Sequence, residues 1–147
     1  MIMHAEWGGR GLLDGATVLD VFAGTGALGL ESLSRGAARA TFIESDPVAL
    51  RALRSNIAAC KAGSRAEVLA IDALATLPGS PANVVFLDPP YGQALIPRAL
   101  TRLLSVGRIQ SSTLMIVETG RDETWCPDQP LLAERQHAAA RLLVFRL

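Results

Sequence analysis

The sequence has no excess of charge: fourteen lysines and arginines stand against fourteen aspartates and glutamates in 147 residues, for a formal net charge of zero. Chains that hold nucleic acid unaided usually carry a clear basic surplus, so tight autonomous binding of RNA or DNA is not expected. Cysteine and histidine are scarce, with two of each. Cys60 and Cys126 lie far apart and outside any CxxC spacing, and His4 and His137 are isolated. Neither a metal site nor a disulfide framework is therefore expected. No apolar run approaches the ~18 residues of a membrane span, so no membrane partner is expected. The opening MIMHAEWGGRG has no basic start and no apolar signal core, which makes a cytoplasmic location the expectation. Repeats, low-complexity tracts and linker-like stretches are also missing, and one domain over residues 1–147 suffices.

What is present is a regular alternation of strand and helix signals. Residues 17–22 (TVLDVF) form a short apolar run of the kind buried in parallel sheets. Gly24 to Leu33 reads as a turn entering a helix, with Gly36 placed to end it. Residues 39–44 (RATFIE) give a second strand, and Asp46-Pro47 an N-cap followed by a first-turn proline. Leu50, Leu53 and Ile57 mark the buried face of that helix. Strands at 67–71, 83–87 and 113–118 follow, with an amphipathic helix through Ile96, Ala99, Leu100 and Leu103 before the last of them. Two strands, 131–137 and 141–146, close the chain as a hairpin expected to add one antiparallel strand. The expected fold class is α/β, a mostly parallel Rossmann-like sheet with helices on both faces.

Two motifs carry chemistry. The first strand runs into Gly24-Thr25-Gly26-Ala27-Leu28-Gly29, a GxGxxG, and Glu44 follows twenty positions after Gly24. That spacing also fits a dinucleotide site, in which glycines let backbone approach a pyrophosphate and the acid takes ribose hydroxyls. Asp20, four residues before Gly24, argues otherwise, because a carboxylate is poorly placed against pyrophosphate. It suits S-adenosylmethionine, which has no phosphate and carries a sulfonium and an ammonium group. The stretch Asp20-Val21-Phe22-Ala23-Gly24-Thr25-Gly26 is thus read as a methyltransferase cofactor loop, with Glu44 and Ser45 at the ribose. Asp72 and Ala73, after the third strand, are expected near the adenine, although an aspartate there is also an ordinary helix cap. A glycine turn with no ligand would leave Asp20 and Glu44 unexplained.

The second motif, Asp88-Pro89-Pro90-Tyr91, ends the fourth strand on the same carboxyl edge. Double prolines serve as stiff turns, but that role does not account for the flanking aspartate and tyrosine. A base amine is a poor nucleophile because its lone pair is delocalised into the ring. Asp88, which also faces the cofactor, and the Pro89 carbonyl can accept its two N–H bonds and aim the lone pair at a methyl group. Pro90 stiffens the turn, and Tyr91 is expected to stack on the extruded base.

With both motifs placed, the chain resembles the RsmD-type family of bacterial 16S ribosomal RNA guanine-N2 methyltransferases. The resemblance runs from about Asp20 to the C-terminus, and residues 20–35 (DVFAGTGALGLESLSR) and 40–44 (ATFIE) carry most of it. The helix containing Asn56, the DPPY element and the closing Val144-Phe145-Arg146-Leu147 also fit. Family members often have phenylalanine at the Tyr91 position, and either ring can stack. The resemblance implies a seven-strand S-adenosylmethionine-dependent methyltransferase fold. It implies as partner the 16S ribosomal RNA within the small ribosomal subunit, a particle that relaxes the need for a basic surface; no protein partner is inferred. The family begins with a basic β-hairpin and a helix. About sixteen residues precede the first strand here, so residues 1–16 are expected to be a remnant of that helix. The alternatives are a DNA adenine-N6 methyltransferase, for which no target-recognition insertion is present, a cofactor-binding domain without activity, and a nicotinamide oxidoreductase, for which no catalytic His, Lys or Tyr constellation is found.

Overall fold

Five apolar runs form the parallel part of the sheet: β1 (Thr17–Val21), β2 (Arg39–Ile43), β3 (Ala66–Leu69), β4 (Val84–Leu87) and β5 (Leu114–Gly120). They lie between α1 (Ala27–Ser34), α2 (Pro47–Ala59) and α3 (Leu95–Ser105), and β6 (Ala133–His137) and β7 (Ala140–Arg146) complete the chain. The computed structural model describes residues 11–90 and 94–147. The expected helix remnant therefore falls largely outside the described residues, and its described part, residues 11–16, holds turn at 11–15 and no helix.

The seven strands run in the order β3-β2-β1-β4-β5-β7-β6. β1 pairs in parallel with both β2 and β4, so the chain winds outward to β3 and then crosses back to the other side of β1. Such a reversal opens a crevice at the carboxyl ends of the two central strands, where open α/β sheets take their ligands. The expected mostly parallel α/β fold is thus the observed one. The terminal hairpin adds two strands rather than one: β7 lies antiparallel to β5, and β6 is antiparallel to β7 at the sheet edge. β3 is shorter than the 67–71 run predicts. It is the other edge, paired only with β2, and the ladder ends where Ile43 meets Leu69.

The period-two alternation of each strand sorts the core onto two faces. Val18, Phe42, Val84, Phe86, Leu114 and Ile116 pack with Leu33 of α1 and with Leu53 and Ile57 of α2. Leu19, Val21, Val85, Leu87, Met115 and Val117 pack with Ile96, Ala99 and Leu103 of α3. Asp46 caps α2 by accepting the Ala49 N–H at 2.8 Å, and Pro47 occupies the first turn, as the sequence predicts. Trp125 packs its ring 6.1 Å from that of Phe145.

Gly29 shows how tightly α1 is held to the sheet. A Cβ there would collide with the ring of Phe42, which is itself fully buried. The last glycine of the GxGxxG is thus required by helix–strand packing. Gly29→Ala is expected to destabilise the fold by about 1–3 kcal/mol, the usual cost of overpacking a filled core. Urea unfolding measures it; an unchanged midpoint would mean that α1 shifts freely.

Candidate active site

A cleft of about 630 Å³ opens along the carboxyl edge of the sheet, within the range of small-molecule sites. Every parallel strand contributes to its wall. Phe22 follows β1, Ile43 to Asp46 lead from β2 into α2, and Ile71 to Leu74 follow β3. Asp88, Pro89 and Pro90 follow β4, Glu118 lies on β5, and Leu95 opens α3. Phe22, Glu44, Ser45, Asp72, Ala73, Asp88, Pro89 and Pro90, all singled out in the sequence, meet in this one space. Tyr91 lies outside the described residues.

Asp20, Ala23, Gly24, Thr25 and Gly26 do not line the cleft; they build its floor from behind. Asp20 lies on the α1 side of β1, and its Oδ2 accepts the Gly29 N–H at 3.0 Å. The cofactor-loop reading aims this carboxylate into the crevice. Strand alternation instead turns it inward, where it is 2 % exposed. The Gly24 N–H donates to Glu44 Oε1 at 2.7 Å, and Glu44 Oε2 accepts from the Ser45 and Asp46 N–H groups, each at 2.9 Å. Ala23 N–H donates to the Ile43 carbonyl, Gly26 N–H to the Ala23 carbonyl, and Asn56 Nδ2 to the Thr25 carbonyl. Glu44 thus ties the glycine loop to the start of α2. Phe22 sits at φ 60°, a left-handed conformation costly for a bulky side chain, at the point where the chain leaves β1. Asp72 caps the short 3-10 turn Ala73–Ala75 through the Leu74 N–H at 2.8 Å, so the ordinary capping role is also filled.

The electrostatics separate the rival ligands. Glu44, Asp46, Asp72, Asp88 and Glu118 line the cleft, and among the described residues no Lys, Arg or His does. A recess lined by one sign of charge concentrates counter-ions of the other sign. It draws in a cation and repels a pyrophosphate. In the glycine turn the N–H groups of Gly24 and Gly26 are already taken, by Glu44 and by the Ala23 carbonyl. Ile43, Ile71, Ala73 and Leu74 supply apolar wall between the acids, as a flat ring requires. The residues present therefore fit S-adenosylmethionine and not a dinucleotide.

Two carboxyls are strongly perturbed. Burial pushes Asp20 up to about 7, with the charge of Glu44 acting in the same direction and the Gly29 N–H opposing. Asp88 is pushed up to about 8, first by burial, then by its hydrogen bond to Glu118 and by the charges of Glu118 and Asp20. Glu118 carries no role in the sequence reading. Its signal was an acid near the end of the fifth apolar run, but only the sheet order places it beside Asp88.

The Asp20 shift sets a pH dependence. The unfolded chain ionises this group near 3.8 and the folded chain only near 7, so between those values the unfolded state binds fewer protons. Stability from this group is complete below about pH 4 and is lost as pH rises to 7. Asp20→Asn keeps an oxygen for the Gly29 N–H and cannot ionise. It is expected to leave the urea midpoint at pH 4 unchanged and to raise stability at pH 8 by about 1–3 kcal/mol. An equal or lower midpoint at pH 8 would show that the ionised form is preferred.

A family model described as "Conserved hypothetical protein 95" matches residues 2–142. Ribosomal RNA small subunit methyltransferase D of Escherichia coli is 43 % identical over 106 residues, covering 71 % of this chain and 53 % of that protein. The solved structure of yhhF from Escherichia coli superposes with a TM-score of 0.81 at 35 % identity, over 91 % of this chain and 76 % of that one. An RNA methyltransferase from Salinibacter ruber, solved in complex with S-adenosyl-L-homocysteine, shares the fold at a TM-score of 0.72 and 19 % identity. That match covers 91 % of this chain and 82 % of the other. The chain spans about half the length of the curated relatives it matches.

Proposed function

Because the chain belongs to the family described as Conserved hypothetical protein 95, here read as the RsmD-type family, we propose that it methylates ribosomal RNA at the exocyclic N2 amine of a guanine in the 16S RNA of the small subunit. Residues 1–147 act as one catalytic domain in the cytoplasm, with S-adenosylmethionine as methyl donor. The observation that carries this reading is the acidic cleft in which Glu44 and Phe22 of the glycine-loop end meet the Asp88-Pro89-Pro90 end. When bound, S-adenosylmethionine supplies a methyl group activated by its cationic sulfur.

Every other task falls to the chain. The acids of the cleft hold the cationic ligand, with Glu44 at the ribose side and Asp72 and Ala73 at the adenine side. Asp20, Gly24 and Gly26 shape the loop behind it. The Asp88 carboxylate and the Pro89 carbonyl accept the two N–H bonds of the target amine. This orients the lone pair and stabilises the positive charge that develops on nitrogen. Proline at 89 has no N–H of its own, and its fixed φ keeps the carbonyl ready. Tyr91 stacks on the base.

Calorimetric titration with S-adenosylmethionine, with NAD as control, tests the cofactor. Saturable binding of the former alone is expected, and binding of NAD alone would overturn the reading. Incubation with small subunits that lack the modification, followed by nucleoside mass spectrometry, tests the target. N2-methylguanosine is the expected product; N6-methyladenine formed in DNA instead would assign the protein to the adenine class.

A further inference from the structure

Glu118 belongs to neither motif, yet it stands where the reaction is proposed to occur. In the parallel β4–β5 ladder Leu87 is partnered with Val117, so the next residues, Asp88 and Glu118, occupy neighbouring positions on adjacent strands. Adjacent strands run about 4.8 Å apart, within reach of two carboxyl side chains. Both residues line the cleft. Two ionised carboxyls so placed repel each other, which favours a single proton held between them. Among the described residues, the other ionisable groups around it are Asp20 from β1, Glu44 after β2, Asp46 at the start of α2 and Asp72 after β3, all acidic. No basic side chain among the described residues lines the cleft to take the place of that proton.

We propose that Glu118 is a positioning residue for methyl transfer: by sharing a proton with Asp88 it holds that carboxyl beside Pro89 and keeps it un-ionised until a cationic ligand enters the cleft. The proposal rests on the methyltransferase reading above. A cation nearby favours the ionised form of a carboxyl, so ligand entry discharges the shared proton to solvent. Asp88 can then accept from the amine. The proton that the amine sheds on methylation goes onto the ionised pair, which ends the turnover as it began. One proton is released per cycle, in keeping with a cationic donor and neutral products. The elevated Asp88 value fits this arrangement, because both burial and Glu118 favour the protonated form.

The test combines a readout without ligand and one without turnover. Carbon-detected NMR of carboxyl-labelled protein follows Asp88 against pH in the wild type and in Glu118→Gln. The Asp88 midpoint is expected to fall by at least about one pH unit in the variant, because a like charge has been removed. Calorimetry at pH 7 in buffers of different ionisation enthalpy counts protons released on binding S-adenosylmethionine. More than about half a proton is expected from the wild type and clearly less from Glu118→Gln, with the acid limb of kcat/KM moving to lower pH by the same interval. A merely structural role would lower activity equally at all pH values and leave the Asp88 midpoint in place, and that result overturns the proposal. Should Glu118→Gln not fold, the wild type decides by itself: binding without proton release overturns it. Binding with an unmoved midpoint removes the shared-proton role alone, whereas no binding of S-adenosylmethionine removes the methyltransferase reading as well.

Discussion

Asp88→Ala is expected to lower kcat by about 10²–10³ or more while leaving the dissociation constant for S-adenosylmethionine within about threefold of wild type. The asymmetry follows from where Asp88 stands. It follows β4 and lines the cleft beside the buried Pro89, and its proposed role is to offer its oxygens to an incoming amine. It makes no hydrogen bond to the glycine loop, which is organised by Asp20 and Glu44. The group lost is therefore one needed as charge develops on nitrogen, which affects turnover more than binding. Asp88→Asn keeps one acceptor oxygen and is expected to retain more activity than alanine. Single-turnover methylation together with calorimetric binding measures both sides. Full methylation by Asp88→Ala would refute the amine-orienting role.

Glu44→Ala is expected to do the opposite: to raise the S-adenosylmethionine dissociation constant at least about 100-fold, with kcat at saturating cofactor close to wild type. Three backbone N–H groups, those of Gly24, Ser45 and Asp46, converge on its two oxygens at 2.7–2.9 Å. Hydrogen bonds to a charged group contribute roughly 1.5–3 kcal/mol each, and a 100-fold loss corresponds to about 2.8 kcal/mol. The predicted effect thus requires the loop to lose the equivalent of one or two of these bonds. Glu44→Gln offers one acceptor where the loop needs two and adds donors that face other donors, so it is expected to fall between wild type and alanine. If Glu44→Ala bound S-adenosylmethionine with native affinity, the loop would be held by its glycines alone.

Much of this arrangement is local and was legible residue by residue. The Asp46-Pro47 cap, the buried face of α2 and the central strand runs depend on hydrogen bonds and periodicities that span a few positions. The acids that end or follow strands, Glu44, Asp72 and Asp88, were identified for the same reason: in a parallel sheet all strand ends of one kind lie on one edge. Family resemblance added the reaction, which periodicity alone does not contain.

What stayed hidden depends on neighbours distant in the chain. Asp20 was expected to face the ligand. Its burial against Gly29 is decided by strand parity together with the seating of α1 against Phe42. Glu118 looked like the end of an ordinary strand until the sheet order put β5 beside β4 and the ladder placed it next to Asp88. The terminal hairpin could be seen, but not that both its strands would join the sheet. Sequence by itself determined the α/β alternation, the glycine turn and the acids at the strand ends, because short-range sterics and hydrogen bonding act within each segment. Only the tertiary structure decided which acids share a cleft and which stand side by side across the sheet, because desolvation and charge repulsion depend on distances that folding alone sets.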